Sequence, residues 1–400
     1  MILPQLSSTP GGILFIGEAP SDEECIKGRV LVGPTGNLLA RSLRAADLLS
    51  VDDPPTNYEP HLPGETRRML WTRRLHSFTN VFDEQLPDNE VKTWCWPAKD
   101  EKEWQATKPT VTLTGLHGAG WLRPEYYHHL ARLRAEILKV RPNIIVPLGG
   151  TALWSVFGLN MIDAYRGAVR LMHPSAPVMV VSTGRLGETI DPEENAYLGS
   201  IKILPTYHPA FLFKQYKRFS TLIGDLIKVK READFPEIRP EQIELWLEPT
   251  LGDLRAFSEL HVARSELLSI DIETSGNQIV CVGISTDRST GLVVPFVDYR
   301  QPSRSYWPSE TDELAAWQWL AGVLDNDIPK LMQNGGGFDV YRFLVDAGLP
   351  VRNYRHDLRL VHHVLFPELP KSLAYMGKTY TDLPAWKANV QHGDQGKRDE

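Results

Sequence analysis

The chain is 400 residues long, 42% hydrophobic and 23% charged, the composition of a folded protein, with room for two or three domains of about 150 residues. Its net charge of −7 divides unevenly: residues 1–231 carry 27 Lys+Arg against 24 Asp+Glu, and residues 232–400 carry 16 against 26, which predicts a boundary near 231. No apolar run approaches the roughly 18–20 residues of a membrane span, and the start MILPQLSSTPGG lacks the basic region and cleavage site of a signal peptide. A cytoplasmic protein with no membrane partner is expected. Cys25, Cys95 and Cys281 are scattered without CxxC spacing, so free thiols are expected rather than a disulfide framework or a four-cysteine metal site.

Five short apolar runs in the first part predict strands: Ile13–Gly17, His76–Val81, Ile144–Leu148, Val178–Ser182 and Ile201–Pro205. Helical patterns separate them, notably TGNLLARSLRAADLL, Glu125–Val140 and Thr151–Phe157, and this alternation predicts an α/β fold with a mostly parallel sheet covered on both faces. Asp47–Arg67 is rich in proline and acid and reads as an inserted loop. Asp83–Gly120 is irregular and is expected to fold over an edge of the sheet. The basic stretches RRMLWTRRLH and FKQYKRF offer local faces for nucleic acid despite the near-neutral charge of this part.

Three segments fall at predicted strand ends: Gly17-Glu18-Ala19-Pro20, Thr79-Asn80-Val81-Phe82 and Thr206-Tyr207-His208-Pro209-Ala210. In open α/β sheets ligands bind at such ends. A carboxylate (Glu18), an amide (Asn80) and an imidazole (His208) converging there suit hydrolysis of a bond to a polar planar group. The carboxylate can position water and stabilise positive charge, the amide can pair with a donor-acceptor edge, and the imidazole can stabilise a departing anion. Taken singly, each is equally a turn residue or a loop corner.

In order, GEAPSDEECIKGRVLVG, the TNVF segment, RPNIIVPLGGTALWSVFG and LPTYHPAFLF resemble the successive motifs of uracil-DNA glycosylases, particularly the branch opening with Gly-Glu-x-Pro, over roughly Gly12–Lys230. The resemblance implies a three-layer α/β/α domain acting on DNA, in which a base is flipped from the stack and its glycosidic bond is cleaved. It implies Glu18 as the water-positioning carboxylate and His208 on the loop that enters DNA and supports the departing base. Gly17, Leu31 and Asn80 would bind the base, Asn80 reading the pyrimidine edge. The departures are specific. Ser21 stands where the family usually has Gly, and Val30-Leu31 where it has Pro-Phe. The missing Phe would stack on the flipped base, an interaction worth about 1–3 kcal/mol, so uracil affinity is expected to fall roughly tenfold or more. Relatives often carry an iron–sulfur cluster on four cysteines. With three cysteines in the chain, none is expected.

DFPEIRPEQIELWLEPT, residues 234–250, is acidic and proline-rich and reads as a linker ending in an edge strand, Gln242–Leu247. The expected division is 1–231, a linker over 232–250, and a second domain over 251–400. After a helical pattern (Leu251–Arg264) comes LLSIDIETSG, where Asp271 and Glu273, two apart on a strand, share one face. Two adjacent carboxylates call for a hard divalent cation. Strand runs Gln278–Ser285 and Gly291–Phe296, a helix (Thr311–Leu324) and a strand (Lys330–Gln333) lead to Asp339, which opens a helix and can face the pair. Such clusters hold metal ions that activate water for phosphodiester hydrolysis.

This part is similar to the 3′→5′ exonuclease domain of family A DNA polymerases, especially phage versions, through SIDIETSG, YWPS, KLMQNGGGFD and HDLRLVHHVLFPELPKSLAYM. The similarity implies a ribonuclease H-like α/β domain with Asp271, Glu273 and Asp339 as ligands to Mg²⁺ or Mn²⁺. Asp357 would open a helix without being a ligand, and His362 and His363 would be packing or helix-surface residues. The family's fourth carboxylate, from Tyr-x-x-x-Asp, has no match before Glu400; Asp394 and Asp399 lie in a polar tail. The expectation is a phage-type replication or repair protein, the front of a polymerase or its partner, joining uracil excision to a weakened exonuclease. The competing expectation is a non-catalytic DNA-binding or uracil-sensing module that uses the exonuclease fold for docking.

Overall fold

The computed structural model describes residues 4–7, 10–49, 76–97, 113, 115–116, 120–181 and 190–381. Two compact units divide it: Met1–Ile238 together with Ala374–Glu400, and Arg239–Leu373. Most of the predicted Asp47–Arg67 loop, the RRMLWTRRL stretch, much of Asp83–Gly120 and the polar tail lie outside the described residues.

The first unit begins with β1 (Ile13–Gly17), α1 (Asp22–Lys27), α2 (Gly33–Ala45), β2 (Ser77–Asn80), the antiparallel pair β3 (Cys95–Trp96) and β4 (Trp121–Leu122), and α3 (Tyr127–Val140). It continues with β5 (Ile144–Pro147), α4 (Gly150–Phe157), α5 (Ile162–Tyr165), β6 (Arg170–Leu171), α6 (Pro177–Val180), α7 (Pro192–Ser200), β7 (Lys202–Ile203), α8 (Phe211–Lys214) and α9 (Phe219–Glu232). The sheet order is β2-β1-β5-β7-β6, parallel except for the antiparallel edge β6.

Strand periodicity explains the layers. Leu14 and Ile16 of β1 join Leu130, Leu133 and Leu153 in one core, whereas Ile13 and Phe15 join Leu39, Leu43, Leu222 and Leu226 in another. The helices supply matching stripes: α3 buries Leu130, Leu133, Ile137 and Val140, and α9 buries Leu222, Leu226 and Val229. The result is a three-layer α/β/α arrangement with β1 buried throughout.

One predicted strand is corrected. Val178–Val181 is not in the sheet; Pro177–Val180 is a short helix with Pro177 in its first turn, and Val178 and Met179 are buried in the core. A short continuous apolar run does not distinguish a buried strand from a buried helix, and proline at a helix start favours the latter. The fifth strand is instead Arg170–Leu171, too short and polar to show alternation. Ser182 lies outside the described residues.

The second unit contains β8 (Glu244–Trp246), α10 (Leu251–Leu260), β9 (Leu268–Ser275), β10 (Gln278–Ser285), β11 (Thr290–Pro295), α11 (Glu310–Asp325), β12 (Lys330–Met332), α12 (Asp339–Ala347), β13 (Tyr354–Asp357) and α13 (Leu358–Leu365). Its sheet runs β13-β12-β9-β10-β11-β8. Strands β9, β10 and β11 are antiparallel, β12 and β13 continue parallel to β9, and β8 adds a parallel edge beside β11. Apart from that edge the pattern is ribonuclease H-like. The last described helix, α14 (Leu373–Tyr380), groups from Ala374 onward with the first unit, whereas the sequence reading counts it in the second. Its side chains find their polar partners on α9 and on the segment before β6.

Phe15 is fully buried and stacks on Phe78 with ring centroids 5.2 Å apart. Phe15→Ala is expected to destabilise the first unit by about 3–5 kcal/mol, seen as a lower urea midpoint for its unfolding with the transition of the second unit unchanged.

Candidate active site

The carboxyl ends of β1, β2, β5 and β7 form one rim. Parallel pairing sets Gly17 opposite Asn80, and the ladder continues as Val81 N–H and Phe82 N–H donate to the carbonyls of Gly17 and Glu18, both at 2.9 Å. Leu148 N–H donates to Ile16 O at 2.8 Å, and Gly149 N–H to Thr206 O at 2.9 Å, carrying the rim across to the segment after β7. Glu18, Asn80 and His208 therefore all issue from neighbouring strand ends.

Gly17 is a steric requirement. A Cβ there would lie 2.2 Å from Asn80 Oδ1, so any side chain would push the amide aside. Asn80 is 3% exposed, and its buried Nδ2 makes no well-formed hydrogen bond, the Glu24 carboxylate being the neighbour its amide acts on. A buried donor of this kind costs free energy unless something else completes it. Arg132 of α3 fixes the backbone below, donating to the carbonyls of Asn80 (2.7 Å) and Val81 (3.0 Å). Three residues on, Asp83 accepts from buried His129 at 2.5 Å, and Trp94 stacks on that ring.

Glu18 accepts a hydrogen bond from the Thr151 hydroxyl, at the first turn of α4. Burial raises its carboxyl above the ordinary range, and Thr151 opposes that rise. His208 leans on the same turn: a Cβ on Gly149 (φ +87°) would come 3.2 Å from His208 Cβ. Burial lowers the imidazole to about 4. Ala210 N–H donates to Nδ1 at 3.2 Å, which leaves the proton of the neutral ring on Nε2.

Leu31 is placed differently from a pocket wall read off the sequence. Its side chain is buried in the core shared by α2 and α9, its φ is +52°, and its N–H donates to Glu24. Glu24 also accepts from Ser21 N–H at 2.7 Å and lies close enough to Asn80 for the amide to favour its ionised form, although burial wins and raises it. Sequence reasoning passes over Glu24, Arg132 and Thr151. Thr151, following Gly-Gly after a predicted strand, carried the one usable signal.

In the second unit, Asp271 and Glu273 are exposed on one face of β9. Asp339, 2% exposed at the start of α12, accepts from Ile272 N–H at 3.2 Å, so its carboxylate docks on the backbone between them. Burial, reinforced by the Asp271 charge, pushes Asp339 up to about 6. These oxygens suit a hard cation, although among the described residues no group of three His, Cys, Asp or Glu gathers to hold one. Asp357 is otherwise engaged. It caps α13 through the N–H groups of Arg359 and Leu360 and accepts from Asn334 N–H (3.0 Å) and Tyr354 OH (2.7 Å). Although burial acts to raise it, these bonds hold it below the usual carboxylate range. His362 is buried near Phe366 and His363 is exposed.

The first unit thus has the form of an α/β/α protein with a carboxylate, an amide and a neutral imidazole gathered at the carboxyl ends of a mostly parallel sheet. The chain belongs to the uracil DNA glycosylase superfamily, whose family model matches residues 4–227. No curated protein matches it. Among solved structures it is similar to the EXD2 exonuclease domain soaked in Mn and GMP, at 17% identity and a TM-score of 0.24 over 35% of this chain and 71% of that one. It is also similar to Brucella melitensis NrnC with bound Mg²⁺, at 15% identity and a TM-score of 0.24 over 36% and 62%. Among the described residues no helix is long and apolar enough to cross a membrane.

Two outcomes follow from this geometry. An NMR titration of His208 in the intact chain should give a midpoint near pH 4, so the ring stays neutral from pH 5 to 8; a midpoint near 6.5 would show a solvated ring. Because the folded value is depressed, this group withdraws stability as pH falls from about 6.5 towards 4, where the unfolded chain binds the proton first. Gly17→Ala should weaken binding of a uracil-containing strand by about tenfold or more, through displacement of Asn80, with little loss of helical content.

Proposed function

We propose that the first unit excises uracil from DNA by hydrolysis of the N-glycosidic bond. One observation carries this reading: Glu18, Asn80 and His208 stand on adjacent strand ends around the Gly149–Thr151 turn. The buried Asn80 amide pairs with the edge of an extruded pyrimidine, and its Nδ2, which makes no well-formed hydrogen bond within the protein, gains an acceptor. Glu18, oriented by the Thr151 hydroxyl, holds the attacking water and stabilises positive charge developing on the sugar. Neutral His208 donates from Nε2 to the oxygen of the leaving base, lowering the energy of its anion. An imidazole already neutral at physiological pH needs no deprotonation before it acts in this way.

For the second unit the proposed activity is metal-dependent 3′→5′ trimming of DNA, with Asp271, Glu273 and Asp339 holding Mg²⁺ or Mn²⁺. When bound, the cation would supply an activated water and neutralise charge on the phosphate. The chain as a whole then reads as a phage-type replication or repair protein, acting in the host cytoplasm as the front of a family A DNA polymerase or beside one. A second reading, a module that binds DNA or senses uracil without cutting, draws support from Leu31, which has no aromatic face and is packed into the core, and from the open carboxylate set.

Incubation with a uracil-containing single strand, followed by alkali, tests the first activity. Wild-type protein should give scission at uracil, Glu18→Gln should slow it by about 10²–10⁴-fold and His208→Ala by about 10²–10³-fold. Retained binding without scission would favour the second reading. Shortening of a 5′-labelled strand that needs Mn²⁺ and vanishes in Asp271→Ala tests the second unit.

A further inference from the structure

The last described helix completes the first unit from beyond the second. Arg166 and Asp225, each 1% exposed, form a buried ion pair at 2.9 Å. Asp225 also accepts from Thr206 Oγ1 at 2.7 Å, two residues before His208. Tyr207, between them, donates to Asp163 at 2.5 Å, and the Arg166 guanidinium lies 5.6 Å from its ring. Helix α14 closes this network. Arg166 donates to Thr379 Oγ1 at 2.8 Å and sits 5.1 Å from the Tyr375 ring, whose hydroxyl is 2.6 Å from Thr221 Oγ1 on α9. Buried Lys228 donates to the carbonyls of Gly167 (3.0 Å), Lys378 (2.5 Å) and Thr381 (2.6 Å). Gly167 shows how close the approach is: at φ +71°, a Cβ there would lie 2.9 Å from Lys378 O and 2.6 Å from Asp225 Oδ1.

We infer that Ala374–Thr381 is a working part of the glycosylase unit, and that Arg166 and Tyr375 are positioning residues for the Thr206–His208 segment. The inference rests on the role proposed for His208. Its physical basis is charge satisfaction. An ammonium has three protons to place, and two of the three carbonyls here come from this segment. Arg166 likewise turns one edge to Asp225, which holds Thr206, and the other to α14. Without α14, two buried cations would lose hydrogen-bond acceptors and would draw on the nearest remaining oxygens, among them Asp225, at the expense of Thr206.

Hydrogen exchange of the full chain, read at Thr206–Leu212 and at β1, tests the inference independently of activity. Tyr375→Ala should accelerate exchange at Thr206–Leu212 by about tenfold while β1 stays protected, and Tyr375→Phe, which keeps the ring, should stay near wild type. Unchanged exchange at Thr206–Leu212, or equal acceleration in β1, would overturn it. Thr379→Val, which deletes the hydrogen bond from Arg166 together with the hydroxyl's own bond to Tyr375 O, decides the matter should Tyr375→Ala unfold the unit: a selective, smaller acceleration supports the inference and none refutes it. In a parallel single-turnover assay, Tyr375→Ala should slow uracil release with little change in strand binding. Absence of scission by wild type, alongside the selective exchange change, would refute the glycosylase reading and leave the brace standing.

Discussion

The closeness of β1 to β2 at Gly17 is the constraint on which the first unit depends. A strand buried on both faces, with apolar residues alternating into two cores, must end where its neighbours end, and parallel pairing then delivers Asn80 to within touching distance of Gly17. Any Cβ at that point would displace the Asn80 amide from its place beside the carboxylate-bearing end of β1. The apolar packing that stabilises the sheet thus also sets the spacing of the polar groups at its rim.

Around that point the polar groups are arranged by supports of unequal kind. Glu18 and His208 share the turn that opens α4, one through the Thr151 hydroxyl and the other through contact with Gly149. Asn80 is held by Arg132, which donates to the carbonyls of Asn80 and Val81 and pairs with Glu136. Burial disfavours the charged form of both titratable groups, raising the acid and lowering the imidazole. The second unit shows the same physics: Asp339 is pushed up by burial, reinforced by the Asp271 charge.

The architecture was largely legible from periodicity. Alternation in β1 and the helical stripes of α3 and α9 are strong because each element buries one well-defined face. Val178–Val181 failed as a strand because an apolar run without alternation carries no information on period, and Pro177 decided for a helix turn. Leu31 illustrates a different limit. Its place in the chain is readable, but its left-handed backbone and the Glu24 bond that turns its side chain into the core are set by contacts seven residues away.

Residue identities and strand period alone locate the candidates: which strand ends carry Glu18, Asn80 and His208, and which strand carries Asp271 and Glu273, because both are local properties. Distances through space belonged to the fold. Thr151 is 133 residues from Glu18, Arg132 is 52 from Asn80, and Thr379 is 213 from Arg166. Partners so far apart in the chain leave no periodic trace, and only closure of the cores brings them together.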